Sequence, residues 1–405
     1  MKTLAHPQTL SDRIENLTES QTLAMSKKAR ELIAKGVDVI NLSLGEPNFP
    51  TPEPIVKAAM DALQARKYTY YTPVSGYLDL REAICEKFKR DNELSFTPEQ
   101  IIVSTGVKQS VANVILSVIN PGDEVLIPSP YWVSYNTLIQ LAEGVCKTIP
   151  SSVDTHFKID PQQIKDAITP RTRMLIFSSP CNPSGTVLSE KELAAWAEVL
   201  KEHENIVIVS DEIYEYINFT GKHHSIGSFQ ELRDRVVILN GLSKSYAMTG
   251  WRLGYMAAPL WIAKACEKVQ GQVTSATCSI TQRAAIVALK SKLSETDDML
   301  KAYLRRRDLM AGLLKKIPGL KFDIPQGAFY IFTDVSSYFG THWNGKKILS
   351  AEDMSFYLLE KAHVALVPGE AFGDPNSIRF VYAAEDEKIC KAVDRIEKAL
   401  GELRR

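Results

Sequence analysis

Residues 235–254 read RVVILNGLSKSYAMTGWRLG, an apolar run followed at once by small and polar residues. The run Arg235–Leu239 is β-branched and apolar on both faces, which is typical of a strand buried inside a sheet. Lys244 lies just beyond it, and Arg252 comes eight positions later. Ligands gather beyond the carboxyl ends of buried parallel strands, so this stretch predicts an α/β fold with a site at the edge of its sheet.

The same arrangement recurs along the chain. Helical patterns such as PEPIVKAAMDALQ separate the apolar runs, which predicts a mostly parallel central sheet sandwiched by helices. The other runs are IIVS (Ile101–Ser104), EVLIP (Glu124–Pro128), RMLIF (Arg173–Phe177) and IVIVS (Ile206–Ser210). A polar cluster follows the run Arg235–Leu239, and polar clusters also follow three of these other runs. They are TGVK at 105–108, SSPCNP at 178–183 and DEIY at 211–214. We expect all four clusters to meet at one edge of the sheet.

The chain changes character after about Asp297. A long charged helical run, DDMLKAYLRRRDLMAGLLKKI, precedes two shorter strand-like pieces, GAFYIFTDV and SIRFVYAA. The sequence therefore predicts a large domain over 50–296 and a smaller α+β domain over 297–405. The N-terminal segment 1–49, with a helix around Ala24–Lys35, is expected to join the small domain.

Bulk composition excludes several classes of function. The chain has 405 residues with 48 basic and 48 acidic side chains, so no overall field favours nucleic acid or a membrane surface. Six cysteines are scattered without a Cys-x-x-Cys pair, which favours reduced thiols, and no metal site is predicted. Neither a signal-peptide core nor a spanning apolar run is present, so a soluble, cytoplasmic protein is expected.

The residues of the opening stretch suit covalent and phosphate chemistry. Lysine becomes a nucleophile for Schiff-base formation when desolvation or a nearby cation lowers its pKa. Arg252 can hold a phosphate bidentately, and Gly106 offers backbone N–H groups at a helix start. The alternative for Lys244 is an ordinary surface lysine at a helix N-terminus.

Asp211, Tyr214 and Asn182 indicate which cofactor this would be. An aspartate at a strand end can keep a pyridine nitrogen protonated, while a tyrosine and an amide can donate to a ring oxygen. Taken singly, Asp211 could be a helix N-cap, Tyr214 a core residue and Asn182 a turn residue. Together with a lysine and a phosphate cradle they predict a pyridoxal 5′-phosphate site.

With these motifs the chain resembles the fold-type I pyridoxal-phosphate enzymes, specifically the class I aminotransferases of the bacterial aspartate aminotransferase subgroup. The resemblance runs from about Leu17 to the C-terminus. It is carried by SKSYAMTGWRLG, SSPCNPSGTV, SDEIYEYI, SLGEPNF, YTPVSGYLDLREAI, SPYWVSY and IRFVYAA, in their order along the family.

The resemblance implies a role for each cofactor-contacting residue. Lys244 would bind the cofactor covalently, Asp211 would pair with its ring nitrogen, and Tyr214 with Asn182 would contact its ring oxygen. Trp132 would stack on the ring, and the phosphate would be held by Ser243, Arg252, Gly106, Val107 and Lys108. Tyr71 matches the tyrosine that reaches the phosphate bound to the partner subunit, so a homodimer with shared sites is implied.

The resemblance also implies a dicarboxylic substrate. Arg379 would bind its α-carboxylate with Asn182, Gly45 and Trp132, whereas Lys108, with Ser20 and Thr22, would bind its distal carboxylate. Without that context Arg379 could be a solvated edge residue and Lys108 a solvated loop residue. The implied activity is a ping-pong transfer of the amino group from L-aspartate to 2-oxoglutarate.

Three other classes of function could use some of the same residues. A nicotinamide dehydrogenase is disfavoured because no Gly-x-Gly-x-x-Gly opens a helix after the first strand. A cysteine hydrolase using Cys181 would need His223 or His224 beside it, and a non-catalytic regulator would need an added DNA-binding module. Closer alternatives share the site: aromatic, branched-chain, alanine or prephenate aminotransferases, dual aspartate and prephenate activity, and carbon–sulfur lyases.

Overall fold

The structure is a computed structural model that describes residues 10–15, 17, 21–291 and 293–404, with the side chains of 21–24 outside that description. The predictions for Ser20 and Thr22 therefore fall outside the described residues. The helices are α1 (Asp12–Glu15), α2 (Gln21–Ala34), α3 (Glu53–Gln64), α4 (Leu78–Asn92), α5 (Val107–Val118), α6 (Ser134–Leu141), α7 (Pro161–Ala167), α8 (Glu190–Leu200), α9 (Leu260–Val273), α10 (Ser279–Lys290), α11 (Ser294–Leu314), α12 (Ala351–Lys361) and α13 (Asp386–Gly401). The strands are β1 (Ile40–Asn41), β2 (Ile101–Ser104), β3 (Glu124–Pro128), β4 (Val145–Ile149), β5 (Thr172–Ser178), β6 (Val207–Asp211), β7 (Val236–Gly241), β8 (Gly254–Ala257), β9 (Tyr330–Asp334), β10 (His342–Trp343), β11 (Lys346–Lys347), β12 (Val364–Ala365), β13 (Val367–Pro368) and β14 (Ser377–Val381).

The central sheet has seven strands in the order β2-β8-β7-β6-β5-β3-β4. Neighbours from β7 to β4 pair in parallel, and only β8 runs antiparallel to both of its neighbours. The sheet is therefore mostly parallel, and the predicted runs form β2, β3, β5, β6 and β7. Because β8 is reversed, it begins at the edge where β2, β5, β6 and β7 end.

Both faces of this sheet are buried, as the apolar runs predict. Val207 and Val209 of β6 pack into the core on one face, whereas Ile208 between them packs into a second core on the other face. This alternation follows from the two-residue period of a strand. Burial of each such side chain contributes about 1.5–3 kcal/mol to folding.

A smaller antiparallel sheet, in the order β13-β14-β9, lies later in the chain. Its residues Ile331 and Ile378 belong to the same continuous core as the first face of the large sheet. The N-terminal segment joins this part of the chain, because β1 pairs in parallel with β12. The division at residues 50 and 297 stays a prediction.

In the described part of the chain, no helix combines the length and apolar character needed to cross a membrane.

Candidate active site

A cavity of about 290 Å³ opens at the carboxyl edge of the large sheet. All four polar clusters that follow the predicted strands contribute to its wall. Among the sequence-predicted residues, those that line it are Gly45, Val107, Lys108, Trp132, Asn182, Asp211, Tyr214, Ser243, Lys244, Arg252 and Arg379.

Lys244 lies in the turn after β7 and places its amine inside this cavity. Its Nζ donates to the backbone oxygen of Gly45 at 2.5 Å. Burial, together with the nearby cation of Arg379, lowers the pKa of the amine to about 8. A substantial fraction of Lys244 is therefore neutral near physiological pH, as nucleophilic attack requires.

Asp211 ends β6 and is 4% exposed. One carboxylate oxygen accepts a hydrogen bond from Tyr135 Oη at 2.9 Å, and the other accepts from the backbone N–H of Ile213 at 3.2 Å. Burial raises the pKa of Asp211 to about 6. No cationic side chain among the described residues forms an ion pair with it, so the carboxylate suits a cationic group of a ligand.

The start of α5 and the segment before β8 together form an anion cradle. Gly106 precedes α5 with φ +83°, and a Cβ there would lie 2.3 Å from Nη2 of Arg252. Glycine thus allows the guanidinium to approach the helix N-terminus, where backbone N–H groups and the helix dipole favour anions. Arg252 Nη1 donates to the backbone oxygen of Thr249 at 2.8 Å, and Ser243 lies on the same wall.

Arg379, in the middle of β14, is a buried cation that points to an anionic ligand. It is 3% exposed and donates to Asn182 Oδ1 at 2.9 Å and to the backbone oxygen of Ser43 at 2.6 Å. Its Nε has no hydrogen-bond partner among the described residues, and no carboxylate among them forms an ion pair with its guanidinium. Because Asn182 accepts through its oxygen, its amide nitrogen stays available to donate to a ligand.

Trp132 and Lys108 form the outer wall. The Lys108 Nζ lies 5.2 Å from the centre of the Trp132 ring, within cation–π range. Trp132 also packs edge-on against Tyr135 at 5.4 Å. Partial desolvation and the neighbouring Arg252 lower the pKa of Lys108.

Tyr71 does not line the cavity of its own chain. Its side chain is fully exposed, at 100%, and Tyr70 beside it is 77% exposed. The predicted contact of Tyr71 with a partner subunit's cofactor stays a prediction.

Seven cavity residues were missed by sequence reasoning: Val133, Ser134, Tyr135, Ser178, Ile213, Thr249 and Tyr330. Tyr135 lies three positions after Trp132 in the quoted motif SPYWVSY, so helical spacing was a usable signal. Thr249 lies inside the opening stretch. Tyr330 begins β9 in GAFYIFTDV, and its hydroxyl lies 2.5 Å from that of Tyr214, a contact across 116 residues of sequence that spacing cannot reveal.

The cysteine-hydrolase alternative has no matching geometry. The Cys181 thiol donates to the backbone oxygen of Pro130 at 3.4 Å, and burial raises its pKa. His223 instead lies 2.8 Å from Glu212. Among the described residues, Cys181 thus has no hydrogen bond to the paired base that the alternative needs.

Comparisons with known proteins show which family shares this sequence and fold. The chain is 44% identical over 396 residues, 96% of its length and 82% of the relative's, to the bifunctional aspartate aminotransferase and glutamate/aspartate-prephenate aminotransferase of Petunia hybrida. It is 44% identical over 391 residues, 96% of its length and 98% of the relative's, to the aspartate/prephenate aminotransferase of Cereibacter sphaeroides. The crystal structure of the aspartate aminotransferase from Rhizobium meliloti superposes with a TM-score of 0.94 at 38% identity, covering 98% of this chain and 100% of the other.

The model of the family aminotransferase class I and II matches residues 37–396, which include every cavity residue named above. The chain belongs to the aminotransferase class I and II family.

Proposed function

We propose that the protein is a pyridoxal-phosphate-dependent aspartate aminotransferase, which transfers the amino group of L-aspartate to 2-oxoglutarate and yields oxaloacetate and L-glutamate. The observation that carries the proposal is the enclosure of Lys244 and Asp211 in one cavity, where Asp211 has no cationic side-chain partner among the described residues. The names of the relatives from Petunia hybrida and Cereibacter sphaeroides support the choice of aspartate.

The donor set fits pyridoxal 5′-phosphate group by group. Lys244 offers an amine to the aldehyde, and Asp211 offers a buried carboxylate to the ring nitrogen. Arg252 and the N-terminus of α5 offer a cradle to the phosphate, which the absence of a Cβ at Gly106 keeps open. The bound cofactor supplies an aldehyde that links to amines and a ring that accepts electrons.

The substrate's α-carboxylate would be bound by Arg379. Its unpaired Nε gives a direction for a further hydrogen bond, and its contacts with Asn182 and Ser43 hold the guanidinium in place. Bidentate binding by an arginine fixes orientation as well as charge. Lys108 would bind the distal carboxylate of a dicarboxylic substrate, since it is the lysine beside Trp132 at the outer wall.

Proton transfer would be performed by Lys244. With its amine free, Lys244 would act as the base that takes the proton from the substrate Cα and as the acid that returns it at the C4′ carbon of the cofactor. The lowered pKa of the free amine suits a base that works near neutral pH. Asp211 would keep the ring nitrogen protonated, and Tyr214 and Asn182, which line the same cavity, would hold the ring oxygen.

The absorption spectrum of the purified holoenzyme tests this proposal. Aspartate should convert the visible cofactor band to the near-ultraviolet pyridoxamine form, and 2-oxoglutarate should restore it. A band that ignores aspartate but responds to another amino acid would overturn the assignment of Lys108. Absence of a band after addition of pyridoxal phosphate would overturn the assignment of Lys244.

A second activity toward prephenate is the alternative that the relatives favour, because both are named for prephenate as well as aspartate. The same spectral assay separates the two. Starting from the aminated form, prephenate restores the visible band of a dual enzyme and leaves that of a strict aspartate enzyme unchanged. The homodimer, the shared sites and the cytoplasmic location remain part of the proposal.

A further inference from the structure

Tyr330 is a cavity residue to which the family resemblance assigned no role. It begins β9, opposite Val381 of β14, and is 1% exposed. Its side chain reaches the cavity wall beside Tyr214 and Arg379.

Three parts of the site meet on this one side chain. The Tyr330 hydroxyl lies 2.5 Å from the Tyr214 hydroxyl, and the Arg379 guanidinium lies 4.7 Å from the centre of the Tyr330 ring. The hydroxyl also packs against Gly45, where a Cβ would lie 2.3 Å from it. Gly45 in turn accepts the hydrogen bond from Lys244.

The two phenols share a single hydrogen bond, and its direction decides what Tyr214 can do. Burial raises the pKa of both Tyr214 and Tyr330, so each keeps its hydrogen near neutral pH. Neither hydroxyl has another hydrogen-bond partner among the described residues. One hydrogen therefore lies between the two oxygens, and the other is free to bond a ligand.

The role proposed for Tyr214 fixes that direction, because a Tyr214 hydroxyl that donates to the ring oxygen of the cofactor has no second hydrogen to give to Tyr330. The Arg379 guanidinium lies against the ring of Tyr330, and its charge opposes the rise that burial causes in the pKa of Tyr330. A nearby cation makes an O–H group a stronger donor. Tyr330 is thus the donor of the pair, and Tyr214 is the acceptor whose own hydrogen remains free.

We propose, on the basis of the proposed function, that Tyr330 is a positioning residue that acts through two parts of its side chain, the hydroxyl and the ring. Its hydroxyl donates to Tyr214 and so directs the Tyr214 hydrogen to the ring oxygen of the cofactor. Its ring face holds the Arg379 guanidinium where the substrate's α-carboxylate binds.

The hydroxyl part is tested by Tyr330→Phe in the holoenzyme, by following the visible cofactor band as pH is varied. Without the donor, Tyr214 becomes a weaker donor itself, the ring oxygen is less stabilised as an anion, and the proton on the Lys244 nitrogen is held more tightly. The pKa of the band is expected to rise by about half a unit to one unit. Tyr303→Phe is the matched control, because that hydroxyl is buried, has no partner among the described residues and does not line the cavity.

The ring part is tested by the KM for aspartate. Tyr330→Phe keeps the aromatic face and is expected to leave KM within about twofold of wild type, whereas Tyr330→Leu removes the face and is expected to raise KM about three- to thirtyfold. Thermal unfolding of each holoenzyme identifies a variant that has lost its fold.

The outcomes separate this inference from the proposed function. If the cofactor band of Tyr330→Phe has the same pKa as that of the wild type, the hydroxyl part is overturned. If the Phe and Leu variants have equal KM values for aspartate, the ring part is overturned. Both results leave the proposed function standing. Absence of the band in the wild type would overturn the proposed function and this inference together. A raised pKa in Tyr330→Phe, with Tyr303→Phe unchanged, supports it.

Discussion

At the scale of single residues, one physical cause moves two pKa values in opposite directions. Burial disfavours charge, so it lowers the pKa of Lys244 and raises that of Asp211. The lysine becomes more nucleophilic, and the carboxylate gains more from pairing with a cation. Burial of these two charged groups therefore lowers the stability of the protein without cofactor, and binding of the cofactor is expected to offset that loss.

Lys244→Ala tests the central role directly. We expect kcat with aspartate and 2-oxoglutarate to fall by about a thousandfold or more, since both the covalent link and the proton-transfer group are removed. Steady-state kinetics with saturating pyridoxal phosphate provides the measurement. Lys301→Ala is the control, because Lys301 is an exposed lysine of α11 paired with Asp298. Turnover of Lys244→Ala near the wild-type rate would contradict the role.

Asp211→Asn should stabilise the cofactor-free protein in a pH-dependent way. The pKa of Asp211 in the folded protein is raised from 3.8 to about 6, so its charged form lowers the free energy of unfolding above pH 6. Protonation of Asp211 removes that destabilisation as pH falls. We expect the variant to gain about 2–3 kcal/mol in free energy of unfolding at pH 7–8, and the gain to shrink toward pH 5. Urea unfolding at several pH values measures it.

A gain that does not vary with pH would contradict the raised pKa of Asp211. The holoprotein provides the internal control. There the carboxylate is expected to pair with the ring nitrogen, so the same substitution should weaken cofactor binding instead of stabilising the protein.

Residue types and spacing could predict the groups that follow a strand, but not the groups that support them. Lys244, Asp211 and Asn182 each come shortly after an apolar run, and the structure brings them to one cavity. Tyr330 meets Tyr214 only because β9 of the small sheet reaches the edge of the large sheet. That contact depends on how two sheets pack, which no local pattern encodes.

At the scale of elements, the strands that the sequence predicted are those with both faces buried. Two strands of the same sheet were not predicted. β4 is an edge strand with exposed residues, so its pattern VCKTI lacks a buried strand's continuous apolar run. β8 starts with a glycine and has four residues, so its signal is short, although its burial is complete.

The glycine at the start of β8 has a specific steric role. A Cβ on Gly254 would lie 2.4 Å from the backbone nitrogen of Val107, so only glycine lets β8 approach the N-terminus of α5 this closely. Gly254→Ala must therefore displace the helix start. We expect a loss of about 1–3 kcal/mol in free energy of unfolding and weaker binding of pyridoxal phosphate, measured by denaturation and absorbance titration.

Gly312→Ala is the matched control for Gly254→Ala. Gly312 lies inside α11 with no atom within 4 Å of the added Cβ, so the substitution should stabilise the protein by about 0.5–1 kcal/mol. Opposite signs for the two alanine variants are thus expected. Wild-type stability and cofactor affinity in Gly254→Ala would contradict the steric role.

At the scale of the whole molecule, the chain exposes apolar side chains near the residue predicted to serve a partner. Met60 and Leu63 share one face of α3 and are 53% and 58% exposed, and the fully exposed Tyr71 follows shortly after α3. Exposed apolar groups of this kind are typical of a protein–protein interface. A two-fold symmetric dimer would place the same residues of each copy against the other.

Mixing two impaired variants tests whether sites are shared. Tyr71→Ala should lower activity by weakening the hold on the partner's cofactor, and Lys244→Ala should abolish it. In a heterodimer of the two, one site carries both defects, whereas the other combines an intact Lys244 with an intact Tyr71 from the partner. Because half of the randomly mixed dimers are heterodimers with one of two sites intact, the mixture should recover about a quarter of wild-type activity.

The recovery should require subunit exchange, so variants refolded separately and then combined just before the assay give the control. Activity no higher than the average of the two parents after refolding together would mean that each site is complete within one chain.

Leu63→Glu adds an independent check, because a charge on the exposed face of α3 should shift sedimentation toward the monomer. Leu349→Glu, at a residue that is 62% exposed just before α12, should not shift it. Monomeric wild-type protein with full activity would contradict the shared site outright.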